Sequence, residues 1–192
     1  GTTMAMAAFS RDAALAASVD LFVALAPAAW VRHQTSLLVS FLASLDTAQI
    51  LYLFGEEQFL PQSAVIDALA KTVCRAAPFA CEDIIFLLCG WDVQNLNASR
   101  VPFYMEHTPA GTSVRNMLHW QQMVLSGNFQ MFDYGSAQAN TRAYGQPTPP
   151  RYRLADMHRP PIAVFTGSHD DLADPQDVQH LIAALPADNK PL

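Results

Sequence analysis

The sequence predicts an α/β fold in which two parallel strands are separated by a long helical insertion. Residues 19–26 and residues 161–165 are nearly continuous apolar segments. This pattern is typical of parallel strands that are covered on both faces. Helical patterns flank both segments, whereas the interval between them shows few strand signals. The order of helix, strand, insertion, strand and helix is that of half a doubly wound sheet.

Residues 1–29 form the first part of the predicted core domain. Small apolar residues dominate positions 4–9 and 13–17, and we expect short helices there that pack closely against the sheet. The apolar strand at 19–26 follows and ends at Pro27.

Residues 30–157 differ in character from the flanking segments. Helical spacing of apolar residues occurs at 36–54, at 64–73, from Ile84 onwards and at 114–125. A Pro-rich segment then leads back to the core. Because a loop without secondary structure does not run this long in a compact domain, the interval predicts an inserted helical cap.

Residues 158–192 form the second part of the predicted core. The strand at 161–165 is followed by an acidic loop that contains Asp170. Asp174 is a good N-cap, and Pro175 suits the first position of a helix that ends near Pro186. The acidic loop therefore follows the carboxyl end of a strand, where open α/β sheets hold their ligands.

The composition limits the classes of partner. A chain of 192 residues with 51% hydrophobic and 15% charged residues can bury one core and is not disordered. The net charge of −6, without a cluster of Lys or Arg in the sequence, argues against nucleic acid as a partner. No apolar run reaches the length of a transmembrane helix.

Three cysteines and one sequon bear on the cellular compartment. A disulfide between two of Cys74, Cys81 and Cys89 would suit a secreted or lumenal protein, while three buried thiols would suit a cytosolic one. No C-x-x-C pair is present, so a metal site is not expected there. The sequon at Asn97 permits glycosylation. Together these features favour the secretory pathway.

Four stretches carry a resemblance to a known family. The acid lipase family is resembled by HTPAGTSVRNMLHW at 107–120, FDYGSAQAN at 132–140, PPRY at 149–152 and VFTGSHDDLADPQDV at 164–178. The resemblance implies an α/β-hydrolase fold with a helical cap and lid over a Ser-His-Asp triad. It also implies hydrolysis of triacylglycerols or cholesteryl esters at a lipid–water interface, in a secreted or lysosomal protein without a cofactor.

Individual residues match the motifs of that family. Asp170 matches the acid of the triad, and Gly1 matches the last glycine of the G-x-S-x-G nucleophile elbow. Cys74 and Cys81 match a disulfide of the lid region, and Cys89 matches the remaining thiol.

The same resemblance puts the other two triad members outside the chain. The nucleophilic serine would lie two residues before Gly1, and the histidine would lie beyond Leu192. Because a carboxylate alone can neither attack an ester nor orient a base that is absent, we expect the chain by itself to be inactive. The alternative is a non-catalytic lipid-binding or interaction protein derived from the lipase fold.

Other acidic and imidazole side chains have simpler explanations. The spacing of Asp170, Asp171, Asp174 and Asp177 lacks the glycine and terminal glutamate of an EF-hand, and acidic residues are common at a helix start. We therefore expect no metal. The six histidines are expected to be structural or solvated. His169 should point away from its neighbour Asp170.

Overall fold

A pair of parallel strands forms the sheet that positions the candidate site. The computed structural model describes residues 1–36, 58–59, 78–106 and 111–191. In it, strand β1 (Phe22–Leu25) pairs with strand β4 (Ile162–Phe165). Their register places Phe22 opposite Ile162 and Leu25 opposite Phe165. The pairing confirms the prediction that two strands distant in sequence lie parallel in one sheet.

Two helices precede β1, as predicted. Helix α1 (Thr2–Phe9) has Gly1 as its N-cap residue, and helix α2 (Ala13–Ala17) is capped by Asp12. The Asp12 carboxylate accepts a hydrogen bond of 2.9 Å from the backbone N–H of Leu15, which satisfies one of the unpaired donors of the first turn.

Helix α1 lies antiparallel to β1. At its start, the Thr3 hydroxyl donates to the carbonyl oxygen of Ala28, and the Ala28 N–H donates to the Thr2 hydroxyl at 3.3 Å. At its other end, Phe9 packs edge-to-face on Phe22, with 5.4 Å between the ring centroids. The start of α1 therefore lies beside the loop that follows β1.

The chain divides into two compact units. The first comprises Gly1–Gln34 and Gln122–Leu192, and the second comprises Thr35–Gln121. By this division residues 122–157 group with the two ends of the chain. The predicted domains at 1–29, 30–157 and 158–192 stay a prediction.

The second unit contains short elements. Strand β2 (Gln58–Phe59) pairs antiparallel with β3 (Thr112–Ser113). Helices α3 (Pro78–Cys89) and α4 (Val101–Glu106) pack around Cys81 and Val101, both of which are buried. The unit boundary at 121 falls within helix α5 (Val114–Ser126).

The first unit ends with two further helices. Helix α6 (Ala137–Tyr144) is capped by Ser136 and stops at Gly145, which adopts the left-handed conformation that favours glycine. Helix α7 (Pro175–Ala184) begins as predicted, because the Asp174 carboxylate accepts a hydrogen bond of 2.7 Å from the Gln176 N–H.

Apolar side chains from α1, the sheet and α7 contribute to the core of the first unit. Those buried almost completely are Met6, Ala24, Ile162, Val178 and Leu181. The core of this unit thus contains residues from both the first and the last part of the chain. Among the described helices none has both the length and the apolarity to cross a bilayer.

The strands are shorter and more open than the sequence predicts. Strand β1 begins at Phe22 rather than at residue 19, because the Val19 N–H closes the turn after α2 on the Ala16 carbonyl. The expectation of two covered faces is wrong for this chain: Val23, Leu25 and Phe165 are 47%, 65% and 59% exposed. These three side chains lie on one face of the sheet, because side chains two residues apart share a face and Leu25 pairs with Phe165.

Several helices differ from their predicted bounds. Helix α3 starts at Pro78 and not at Ile84, while α5 matches the predicted 114–125 closely. Helices α4 and α6 and the pairing of β2 with β3 were not predicted. Apart from Ser36, the helices predicted at 36–54 and 64–73 lie outside the described residues.

The two methionines of α1 test the packing of this helix on the sheet. We expect Met6→Ala to lower the free energy of unfolding of the whole protein by about 2–5 kcal/mol, because it leaves a cavity at a side chain that is 0% exposed. Met4→Ala is the matched control, since Met4 is 69% exposed and should change stability by less than about 0.5 kcal/mol. Equal effects in denaturant titrations would contradict this packing.

Candidate active site

The loop between β4 and α7 holds the carboxyl group of Asp170 in place. Asp170 Oδ1 accepts hydrogen bonds from the backbone N–H groups of Leu172, at 2.9 Å, and Ala173, at 2.8 Å. Such a pattern is the usual way in which an aspartate closes a local turn. Gly167 faces the same side chain, since a Cβ placed there would lie 3.9 Å from the Asp170 Cβ.

The two carboxylate oxygens of Asp170 differ in their hydrogen bonds. Within the described part of the chain, Oδ2 accepts no hydrogen bond, and the side chain is only partly exposed. One oxygen is therefore anchored by two backbone donors, while the other can accept a donor from another group. A fixed carboxylate with one open oxygen is suited to orienting an imidazole.

Gly1 and Asp170 lie at the same edge of the sheet. Asp170 follows the carboxyl end of β4, and Ala28 follows the carboxyl end of the parallel strand β1. Because Ala28 bonds to the hydroxyls of Thr2 and Thr3, the start of α1 is held at this edge as well. Gly1 and Asp170 therefore share the carboxyl edge of the sheet, as predicted, and their expected separation of about 10–15 Å stays a prediction.

The other aspartates of this region have separate structural roles. Asp174 caps α7, whereas Asp177 is 3% exposed and pairs with His33. Asp177 Oδ2 accepts a hydrogen bond of 2.8 Å from the backbone N–H of His33, and Asp177 Oδ1 lies 2.8 Å from the ring nitrogen Nδ1 of His33. Nowhere in the described residues do three metal-ligating side chains of His, Cys, Asp or Glu gather.

Four described histidines have partners other than Asp170. His169 Nδ1 lies 3.1 Å from the hydroxyl of Ser168, and His158 Nδ1 lies 2.9 Å from a carboxylate oxygen of Asp188. His180 packs edge-to-face on Trp30 at 4.5 Å, and His33 pairs with Asp177. These contacts agree with the structural roles expected from the sequence. His107 lies outside the described residues.

The features linked to secretion lie in the second unit. Asn97 is exposed, and its side-chain oxygen accepts hydrogen bonds from the Ser99 N–H at 3.2 Å and the Ser99 hydroxyl at 2.7 Å. Cys81 is buried, and Cys89 is an exposed thiol. Cys74 lies outside the described residues, so its pairing with Cys81 stays a prediction.

The pair formed by His33 and Asp177 was missed from the sequence. Asp177 lies on the face of α7 that also buries Val178 and Leu181. Its spacing of four residues to Leu181 was the signal in the sequence that Asp177 is buried. Its partner His33 lies in an irregular segment after β1 and could not be assigned without the fold.

The buried carboxylate is expected to contribute to stability. Asp177→Asn should lower the free energy of unfolding of the whole protein by about 1–3 kcal/mol, because one acceptor oxygen for the two His33 donors is lost in a buried site. Asp174→Asn is the control, since asparagine caps a helix about as well as aspartate does. A larger loss for Asp174→Asn in chemical unfolding would refute this assignment.

No protein-family model matches the chain. Curated relatives do match it over nearly its whole length. The chain is 43% identical to gastric triacylglycerol lipase of Rattus norvegicus over 189 residues, which cover 96% of the chain and 47% of that protein. It is 45% identical to lysosomal acid lipase/cholesteryl ester hydrolase of Homo sapiens over 187 residues, 96% of the chain and 46% of that protein.

A third relative is lipase member K of Homo sapiens, which is 41% identical over 187 residues, with the same coverage. The chain spans about half the length of the curated relatives it matches. These relatives imply an α/β-hydrolase fold, with which the parallel sheet and its flanking helices agree. The chain belongs to the acid lipase family.

Proposed function

We propose that the whole protein is a serine hydrolase of long-chain acyl esters in which Asp170 is the acid of the catalytic triad. The names of the relatives, gastric triacylglycerol lipase and lysosomal acid lipase/cholesteryl ester hydrolase, support this class of reaction. The serine and the histidine belong to parts of the whole protein outside this chain. The serine precedes Gly1 by two residues, and the histidine follows the last strand and helix described here.

The observation that carries the proposal is the asymmetric bonding of the Asp170 carboxylate. Its Oδ1 is fixed by the N–H groups of Leu172 and Ala173, so the side chain cannot rotate without losing both bonds. Its Oδ2 then accepts the N–H of the triad histidine. That bond holds the imidazole in the tautomer that removes the serine proton, and it stabilises the imidazolium that forms.

The position of α1 supports a nucleophile at the same edge of the sheet. In a G-x-S-x-G elbow the serine stands on a sharp turn between a strand and a helix. Gly1 caps α1, and the bonds of Thr2 and Thr3 to Ala28 hold the start of this helix beside the carboxyl end of β1. A serine just before Gly1 is then on the side of the sheet from which Asp170 also emerges.

Exposed apolar side chains of the second unit support contact with lipid. Trp91, Val93 and Phe103 are 55%, 66% and 53% exposed. Large exposed apolar patches are typical of surfaces that meet a membrane or another protein, and we propose that these side chains belong to such a patch. We therefore assign residues 30–157 the role of a cap and lid that meets triacylglycerols or cholesteryl esters at a lipid–water interface.

The proposed setting is the lysosome or the extracellular space. The gastric and lysosomal relatives support a lumenal location. The exposed Asn97 is available for glycosylation, and the proposed disulfide joins Cys74 to Cys81. The proposed chemistry needs no cofactor, because the triad supplies both the nucleophile and the base.

Replacement of Asp170 in the whole protein tests the proposal. Asp170→Asn should lower kcat for a long-chain ester by about 10⁴-fold with little change in KM, because the amide stabilises the wrong tautomer of the histidine. Asp171→Asn is the matched control, since it removes the neighbouring charge and should retain activity within about threefold.

Two outcomes would contradict the assignment. If Asp171→Asn abolished activity while Asp170→Asn did not, the triad acid would be Asp171. If the whole protein bound lipid vesicles but hydrolysed no ester under any condition, the alternative of a non-catalytic lipid-binding protein would replace the proposal.

The chain by itself is expected to be inactive. Residues 1–192 should hydrolyse a short-chain chromogenic ester no faster than a buffer blank, because the proposed nucleophile and base are not among them. A turnover that co-purifies with the chain and disappears in Asp170→Asn would show that a serine and a histidine of this chain complete the site.

A further inference from the structure

A cavity of about 380 Å³ lies in the first unit, away from Asp170. It is lined by three arginines, two tyrosines and one aspartate: Arg11, Arg151, Arg153, Tyr144, Tyr152 and Asp156. Arg11 follows the end of α1, whereas Gly1 precedes its start. Because α1 has eight residues and rises about 1.5 Å per residue, Arg11 lies roughly 12 Å or more along the helix from the carboxyl edge of the sheet.

Backbone hydrogen bonds fix the segment that carries Arg151. The Met131 N–H donates to the Pro150 carbonyl at 2.9 Å, and the Tyr152 N–H donates to the Phe129 carbonyl at 3.0 Å. These bonds form a short antiparallel bridge that places Arg151 opposite Gln130. The Arg151 side chain is therefore attached to a backbone segment that hydrogen bonds hold in place.

The charges around the cavity do not balance. The lining holds three guanidinium groups and one carboxylate, and that carboxylate pairs with Arg153 at 3.2 Å. Neither Arg11 nor Arg151 forms an ion pair within the described part of the chain. The Asp12 carboxylate caps α2 through Oδ1 and does not line this cavity. Two cations thus face one cavity in a chain whose net charge is −6.

Tyr152 adds a neutral donor to the lining of the cavity. The pKa of Tyr152 is raised above its ordinary value. Burial is the larger cause and raises it, while the positive charge of Arg11 offsets part of this rise. The phenol therefore stays protonated at neutral and acidic pH and can donate its O–H. The Tyr152 ring packs on the buried Phe129, with 4.7 Å between the ring centroids. This contact holds the Tyr152 ring in place.

We propose that this cavity binds a phosphate group, either as the free ion or as part of a phospholipid headgroup. Guanidinium groups match the geometry of phosphate oxygens and bind them through paired hydrogen bonds. Arg11 and Arg151 supply the charge, and Tyr152 supplies a further donor. The volume exceeds that of a phosphate ion and leaves room for an ester substituent. The site does not depend on the proposed ester hydrolysis.

Titration of the whole protein with inorganic phosphate tests the site. Arg11→Gln and Arg151→Gln should each weaken phosphate binding about tenfold in calorimetry, as expected for loss of one charged hydrogen-bond donor group. Arg159→Gln is the matched control, because Arg159 is exposed, makes the same charge change and does not line the cavity. Asp170→Asn should bind phosphate as the wild type does, whatever its effect on hydrolysis.

Vesicle co-sedimentation separates the two sources of phosphate. If the ligand is a headgroup, vesicles of phosphatidylcholine with phosphatidylglycerol should retain the wild type better than Arg11→Gln/Arg151→Gln, and inorganic phosphate should compete. If the ligand is the free ion, the double variant should lose phosphate binding and keep its vesicle binding.

Two results would overturn the proposal. One is the absence of saturable phosphate binding by the wild type, measured both by calorimetry and by the shift in Tm that a bound ligand must cause. The other is an equal loss of binding in Arg159→Gln. The wild-type measurement decides even if the double variant unfolds.

Discussion

The parallel pairing of β1 with β4 is the constraint on which the rest of the first unit depends. Four residue pairs join segments that lie near opposite ends of the chain. The pairing sets which ends of the strands meet, and so it brings the loop of Asp170 and the loop of Ala28 to one edge. The threonines of α1 then attach the start of this helix to that edge. The position of the candidate active site depends on this arrangement.

The two ends of α1 belong to different surfaces with opposite charge. Its start lies at the edge where Asp170 presents a carboxylate oxygen, whereas its end leads to Arg11 and the cavity with unpaired guanidinium groups. A helix of eight residues separates the two regions. The same helix therefore can connect a site for ester chemistry with a site for phosphate, without either sharing residues with the other.

Sequence predicts the features of this unit that local signals encode. Asp174 and Pro175 mark the start of α7, and the apolar segments around β1 and β4 predict strands. The sequence could not reveal that Arg11 and Arg151 line one cavity, because only the folded chain brings them together. Nor could it show that Asp170 Oδ1 is bonded while Oδ2 is open, since that difference arises from the path of the loop. The exposure of Leu25 and Phe165 likewise depends on which strands cover the sheet.

The most direct test of the central claim is the distance from Asp170 Oδ2 to the nearest imidazole nitrogen in a crystal structure of the whole protein. We expect a hydrogen bond of about 2.7–3.2 Å to a histidine that also faces a serine two residues before Gly1. We also expect Oδ1 to keep its bonds to Leu172 and Ala173. An Oδ2 bonded to a backbone group or a lysine, with every histidine more than about 4 Å away, would show that Asp170 is not the acid of the triad.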